Sequence, residues 1–323
     1  MSTNLTVGER EPEPLRLDGK GRRRDLPLHS IALLAGAGVV VLLTLLIVDV
    51  AREGGEAMGK FGAGFITSAE WNPVTGKFGA GYFIVGTFIT SAIAIVLACP
   101  LAVAIGYYLA ELASRPVRGM VGTLVELLAA IPSVVLGLWG ILVLGPFMHN
   151  HLEPWLNDVF GFIPLFSGDT SPAGLLPAGF VLTIMVIPIV ASISRELFLS
   201  VPREAKEGAY ALGATRWEVF WNVTLKAAGG GVVAALILGL GRALGEAIAV
   251  TQVIGGSASF HWSLFQPSDT IASRIAAEYQ GAVSNLQTSS FAYLAVILLV
   301  ISMLANLGAR LVVQQMRRRL GFQ

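Results

Sequence analysis

Long apolar runs alternate with polar, charged segments along this chain. The first run extends from Leu28 to Val50. Others follow at Phe83–Leu109, Met120–Phe147, Leu175–Ile193, Gly231–Val253 and Phe291–Val313. Each meets or nears the roughly 20 residues needed to cross the hydrocarbon core of a bilayer. Lipid offers no partner for a free backbone group, so every run is expected to be a helix. Pro100, Pro132 and Pro188 fall inside three of them, which membrane helices tolerate where neighbours satisfy the freed carbonyls. The expected fold is all-α, a polytopic membrane protein of six transmembrane helices. The first run exceeds the roughly 7–15 apolar residues of a cleaved leader, so it reads as an uncleaved anchor.

Composition narrows the class further. Hydrophobic residues make up 54% of the chain and charged residues 13%, against roughly 25% charged in a soluble domain. Mean hydropathy is +0.70. Two soluble domains are thereby excluded. The net charge of +1 gives no argument for nucleic acid or an acidic partner. The single cysteine, Cys99, cannot form an internal disulfide or anchor a metal site, and reads as an inert thiol in an apolar run. Residues 1–27, with Pro12, Pro14 and the run Arg22, Arg23, Arg24, read as a disordered basic tail. The transmembrane domain is expected over 28–319.

Lys and Arg are biased to the cytoplasmic flanks of membrane helices. With both termini inside, the inner segments hold seventeen and the outer segments four, while Arg242 lies inside a run. That supports a multi-pass protein of a bacterial cytoplasmic membrane with both termini cytoplasmic. The outer segments 51–82, 148–174 and 254–290 carry Trp71, Trp155 and Trp262, with Trp139 near a span end; tryptophan is expected at the interface. After Ser268-Asp269, the stretch Thr270–Glu278 reads as a capped short helix outside the membrane, docked on a partner or lying on the surface.

The inner segment 195–227 is the most informative. Pro202 suits a first helical position, Gly213 a C-terminal cap, and Thr215 the cap of a second short helix. Trp217, Phe220, Trp221 and Thr224 then share one side at helical spacing. Two short helices joined by a turn would project on the cytoplasmic side. An interfacial helix lying on lipid accounts for the aromatics equally.

Two charges fall inside the fifth run, Arg242 and Glu246. A charged residue at the bilayer centre costs about 2.5–3.5 kcal/mol on insertion scales. At i, i+4 the two are neighbours on a helix face. Gly241, Gly245 and Ala249 form a small-residue stripe beside them that would let another helix approach. The pair is either a structural staple or a polar pathway in which the Arg242 fork meets an anion. Glu246 would then neutralise Arg242 at rest or accept a hydrogen bond from a protonated oxyanion. Glu126, in the third run, is a pathway or a packing residue.

The inner segment is similar to the signature loop of ABC importer permeases, which reads Glu-Ala-Ala, three residues, Gly, nine residues, Ile-x-Leu-Pro. Here Glu207-Gly208-Ala209, Gly213, Val223 and Leu225 stand at the matching positions. Gly208 replaces Ala, Val223 replaces Ile, and Lys226 replaces the final Pro, which leaves the exit geometry of the loop open. The stretches Phe65–Val74, Val125–Gly140 and Arg242–Glu246 resemble the PstC-type permeases of phosphate-specific ABC importers, over roughly 27–319. The resemblance implies a transport subunit rather than an enzyme, with Glu207, Gly208, Ala209, Gly213, Val223 and Leu225 coupling it to an ATPase. The implied partners are a homologous A-type permease, two ATP-binding subunits and an extracytoplasmic phosphate-binding protein. The chain carries no Gly-x-x-x-x-Gly-Lys-Ser/Thr loop. ATP and magnesium are therefore expected on the partner, with no cofactor on this chain. Transport of sulfate or molybdate by the same kind of machine is one alternative, and an ATP-independent anion transporter is another.

Overall fold

The structure, a computed structural model, describes residues 26–258 and 262–319. The expected tail over 1–27 lies outside them, apart from Leu26 and Pro27, which open the first helix. Two units divide the chain, Met1–Asp49 and Val50–Gln323. The described part of the first belongs to one helix, α1 (Leu26–Glu53). Its apolar side chains from Ile31 to Val48 are exposed, so no described residue of its own unit covers them.

The second unit contains the long helices α2 (Gly81–Leu112), α4 (Ser133–Phe160), α5 (Leu175–Ser200) and α7 (Arg216–Gly245). Shorter helices lie between and after them: α3 (Arg115–Ala130), α6 (Arg203–Ala211), α8 (Ile248–Val253) and α9 (Ile271–Glu278). The long α10 (Asn285–Arg319) ends the described chain. Six helices among the described residues are long and apolar enough to span a membrane.

Helix α5 is the hub. Its most apolar stretch is 67% buried, and it packs along α2 and against α7. Small residues make this close approach possible: Ala94, Ala98 and Ala102 of α2 recur once per turn and are fully buried. A Cβ at Gly239 of α7 would come within 2.7 Å of Val186 on α5. In lipid, where no hydrophobic force drives helices together, small residues that admit backbone contact do much of the packing.

Two expected spans are displaced. The run Met120–Phe147 is not one helix: α3 stops at Ala130, Ile131 and Pro132 are extended, and the third membrane-length helix is α4. Proline disfavours helical geometry in the residue before it, so Pro132 ends α3 by constraining Ile131. The run Gly231–Val253 is also broken. Helix α7 begins at Arg216, ends at Gly245, and is followed by extended Glu246 (ψ 117°) before α8. The supposed second short helix of the inner loop is thus the first turns of α7. They pass through a widened π turn at Phe220–Thr224, and Lys226, standing where the signature has proline, lets the helix continue.

The outer features are buried more than their polarity suggested. Trp71 is not an interface anchor. Its indole packs at 4.9–5.2 Å on Phe78, Phe83 and Phe291, beside Phe65 stacked on Tyr293. The Asn72 side chain accepts the Val74 and Thr75 N–H groups and closes the turn. Helix α9 neither lies on a surface nor awaits a partner over its first turn, since Ile271, Ala272, Ser273 and Arg274 are buried within this chain.

Candidate functional site

Helix α6 and the start of α7 form the projecting hairpin. Gly213 adopts φ +86°, the left-handed geometry that glycine accepts without a Cβ penalty. The Gly213 and Ala214 N–H groups donate to the Tyr210 and Ala209 carbonyls and end α6. Thr215 then starts α7 with a capping box: its hydroxyl accepts the Glu218 N–H, and Glu218 accepts the Thr215 N–H at 2.8 Å. Leu212 at the tip is 91% exposed. Glu207, Gly208 and Gly213 are exposed, while Ala209, Val223 and Leu225 are half-buried.

The hairpin is anchored from behind. Phe220 is buried against Tyr107 and Phe198. Lys206 is buried, ion-paired to Glu111 at the end of α2, and donates to the Phe198 carbonyl at 2.9 Å. From sequence, Lys206 reads only as one of the charges of the segment 195–227. A lysine one position before the signature glutamate looks solvated, and only the tertiary fold brings Glu111 to it.

Arg242 occupies the last turn of α7, and Glu246 stands in the break after it. They approach to 3.5 Å, with Glu246 9% exposed and Arg242 42% exposed. The two are therefore paired, but across a helix end rather than along one helix face. One Glu246 oxygen accepts the Ala249 N–H at 3.3 Å, and the other faces Arg242. At 3.5 Å the contact is an ion pair longer than a charge-assisted hydrogen bond of about 2.7–2.9 Å. The remaining guanidinium donors have no hydrogen-bond partner among the described residues.

The small-residue stripe is divided. Gly241 and Gly245 face open space, whereas Ala249 is fully buried. A Cβ on Gly137 of α4 would reach within 2.8 Å of the Ala249 Cα, and one on Gly140 within 2.6 Å of Val253. The segments after the Pro132 break and after the Glu246 break therefore pack on each other. Glu126 lies exposed on α3 with no ion-pair partner among the described residues.

A second buried charge group was not foreseen. Arg274 on α9 pairs with Asp269 at 2.8 Å and with Glu278, and donates to the Gly256 carbonyl at 3.2 Å. Its guanidinium lies 4.9 Å over the Phe83 ring. The Asp269 carboxyl also accepts from Ser273 and the Thr270 N–H. Burial raises its pKa, against the opposing pull of Arg274 and of these hydrogen bonds. The signal available in sequence was Asp269 five residues before Arg274, which resembles any solvated loop.

A bundle of membrane-length helices with two broken at charged or proline positions, and with a capped hairpin projecting from one end, defines a polytopic transport permease. Residues 102–318 match the family of binding-protein-dependent transport system inner membrane components. The chain is 40% identical over 323 residues, 99% of each sequence, to the phosphate transport system permease protein PstC of Xylella fastidiosa strain 9a5c. It is 42% identical over 301 residues, 92% of each sequence, to that of Mesorhizobium japonicum. A bacterial ABC transporter involved in import of the acidic polysaccharide alginate shares the fold at a TM-score of 0.52 and 19% identity, over 90% of this chain and 97% of that one. The chain belongs to the binding-protein-dependent transport system inner membrane component family, and within it to the PstC-type permeases.

Proposed function

We propose that this chain is the membrane permease subunit of an ATP-driven importer of inorganic phosphate. The observation that carries the reading is near end-to-end similarity, at 40–42% identity, to relatives named as phosphate transport permeases. The hairpin and Arg242 supply chemistry consistent with it. Residues 195–227 couple the permease to an ATP-binding subunit that binds ATP and magnesium. The working assembly pairs this chain with a second, A-type permease, two ATP-binding subunits and an extracytoplasmic phosphate-binding protein. Both termini and the hairpin face the cytoplasm. Arg242 contacts the passing anion through its free fork, and Glu246 holds it at rest. Glu126, exposed on α3, is the weaker pathway candidate.

Uptake of radiolabelled phosphate and sulfate in cells lacking the chain tests the function. Loss of phosphate uptake, with sulfate uptake unchanged, is expected. Loss of sulfate uptake alone would assign the other oxyanion.

The same assay reads the coupling. Space around Gly213 is open, with no atom within 4 Å of an added Cβ. An aspartate there would carry its charge outward into a docked partner, and would pay about 1–2 kcal/mol for left-handed backbone at most. Gly213→Asp is expected to cut uptake at least tenfold at normal membrane abundance, because like-charge or desolvation clashes at an interface cost several kcal/mol. Gly213→Asn, of equal size and similar tolerance of this backbone, should retain much more. Equal, near-normal uptake by both would remove the hairpin from the coupling interface.

A further inference from the structure

The hairpin has an amphipathic cleft behind it. A cavity of about 630 Å³ opens between the end of α2 and the start of α7, walled by Pro100, Val103, Ala104, Tyr107, Trp217 and Trp221. Its lining is almost wholly apolar, and Arg216 is its one charged residue. A second cavity, about 360 Å³, shares Tyr107, Leu112 and Arg216 with the first. A third of similar size shares Glu111 and Tyr210 with the second, and adds Arg118, Arg203, Lys206 and Glu207. The three linings are linked by shared residues, from an almost wholly apolar wall to one that carries Arg118, Arg203 and Lys206 with Glu111 and Glu207.

The charge balance of the polar end is favourable to an anion. Lys206 is committed to Glu111, so those two cancel. Arg118 gives one terminal nitrogen to the Ala110 and Ala113 carbonyls, while its buried Nε has no hydrogen-bond partner. Arg203 and Arg216 are exposed and make no ion pair among the described residues. Glu207 is the one remaining carboxylate of the lining.

We propose that this cleft holds an anionic phospholipid, with an acyl chain along Val103, Ala104 and Trp221 and the headgroup phosphate at Arg216, the cation common to the first two cavities. Three features select a lipid over other occupants. The apolar part is walled by two membrane-length helices, α2 and α7, so its lining matches an acyl chain in polarity. Basic pockets between membrane helices on the cytoplasmic side suit anionic headgroups. Two exposed tryptophans, Trp217 and Trp221, line the apolar cavity together with Arg216, and indoles favour the interface level of a bilayer. The lipid would bridge α2 to α6 and α7, and so tie the hairpin to the leaflet. Its assignment to the inner leaflet rests on the orientation proposed above.

The test uses the whole purified complex, delipidated in detergent and re-supplied with phosphatidylglycerol or phosphatidylcholine, with bound lipid counted by native mass spectrometry. Phosphatidylglycerol is expected to be retained in preference to phosphatidylcholine. Each cation near a membrane surface contributes a factor of about five to anionic-lipid binding, so Arg216→Gln should lower retention about fivefold. Ala104→Trp fills the apolar part from an exposed position and should lower retention with Arg216 present. Equal retention of the two lipids, or indifference to these substitutions, would overturn the proposal. Displacement of phosphatidylglycerol by millimolar inorganic phosphate would reassign the cations to a free oxyanion. Crosslinking from a photoreactive residue at Val103, which lines the cavity from α2 outside the 195–227 segment, into another protein chain would show that protein fills the groove and would overturn the proposal. A cysteine at exposed Ser200, probed with an impermeant thiol reagent in sealed right-side-out vesicles, reads the orientation separately. No labelling supports the inner leaflet, and labelling would overturn that part while leaving the lipid count to stand.

Discussion

Arg242→Gln is expected to reduce phosphate uptake about 10–100-fold, the equivalent of one or two charge-assisted hydrogen bonds to a passing anion. Arg242→Lys should fall nearly as far, because a point charge does not reproduce the planar fork. The competing account is a staple between helix ends. Glu246 is 9% exposed, and stripping a buried charge of its partner costs about 3–5 kcal/mol. That cost would appear as lost protein rather than slow transport. Arg242→Gln/Glu246→Gln separates the two accounts. Glutamine keeps an oxygen to accept the Ala249 N–H, so the start of α8 should survive. A pathway role requires the double variant to assemble in normal amount and transport poorly. Near-normal uptake by the double variant would make Arg242 a structural residue.

Arg274→Gln should be strongly damaging to folding around α9. It leaves Asp269, 3% exposed, without its guanidinium, at about 3–5 kcal/mol. It also removes the contact with the Phe83 ring and the bond to the Gly256 carbonyl. The assembled complex should fall sharply in abundance, and the survivors should melt at lower temperature in a detergent thermal-shift assay. Asp269→Asn/Arg274→Gln removes both charges and should recover a large part of that loss. A single variant with wild-type melting would mean that Asp269 is accommodated without its partner, against the geometry seen here. The close fit around it argues otherwise: a Cβ on Gly86 of α2 would collide with the Asp269 carbonyl oxygen, so this loop has no room to relax.

The segments that resemble the PstC-type permeases differ in what they build. Phe65 to Val74 turned out to be architecture, an aromatic cluster closed by an Asn72 turn. Ile131-Pro132-Ser133 and Arg242 to Glu246 mark two chain breaks whose following segments meet through Gly137, Gly140 and Ala249. The hairpin signature describes a glycine-capped helix and a threonine-capped one, both local geometries.

Sequence by itself determined the all-helical class, the number of membrane-length helices, the caps at Gly213 and Thr215, and the membership of a permease family. Each of these depends on residues near one another in the chain: about 20 apolar residues for a span, a glycine for a left-handed cap, a hydroxyl for an N-terminus. Where the third and fifth helices begin and end was only partly legible. Apolar character runs through Ile131 and through Ala247, although the backbone is extended at Ile131 and Glu246, and hydropathy does not register a backbone dihedral. Tertiary structure alone decided the burial of Lys206 on Glu111, the enclosure of Arg274 by Asp269, Glu278 and Phe83, and the cleft behind Trp217 and Trp221. A charge reads as solvated until a residue distant in sequence is folded onto it, because the partner that offsets its desolvation is specified by packing and not by any local pattern.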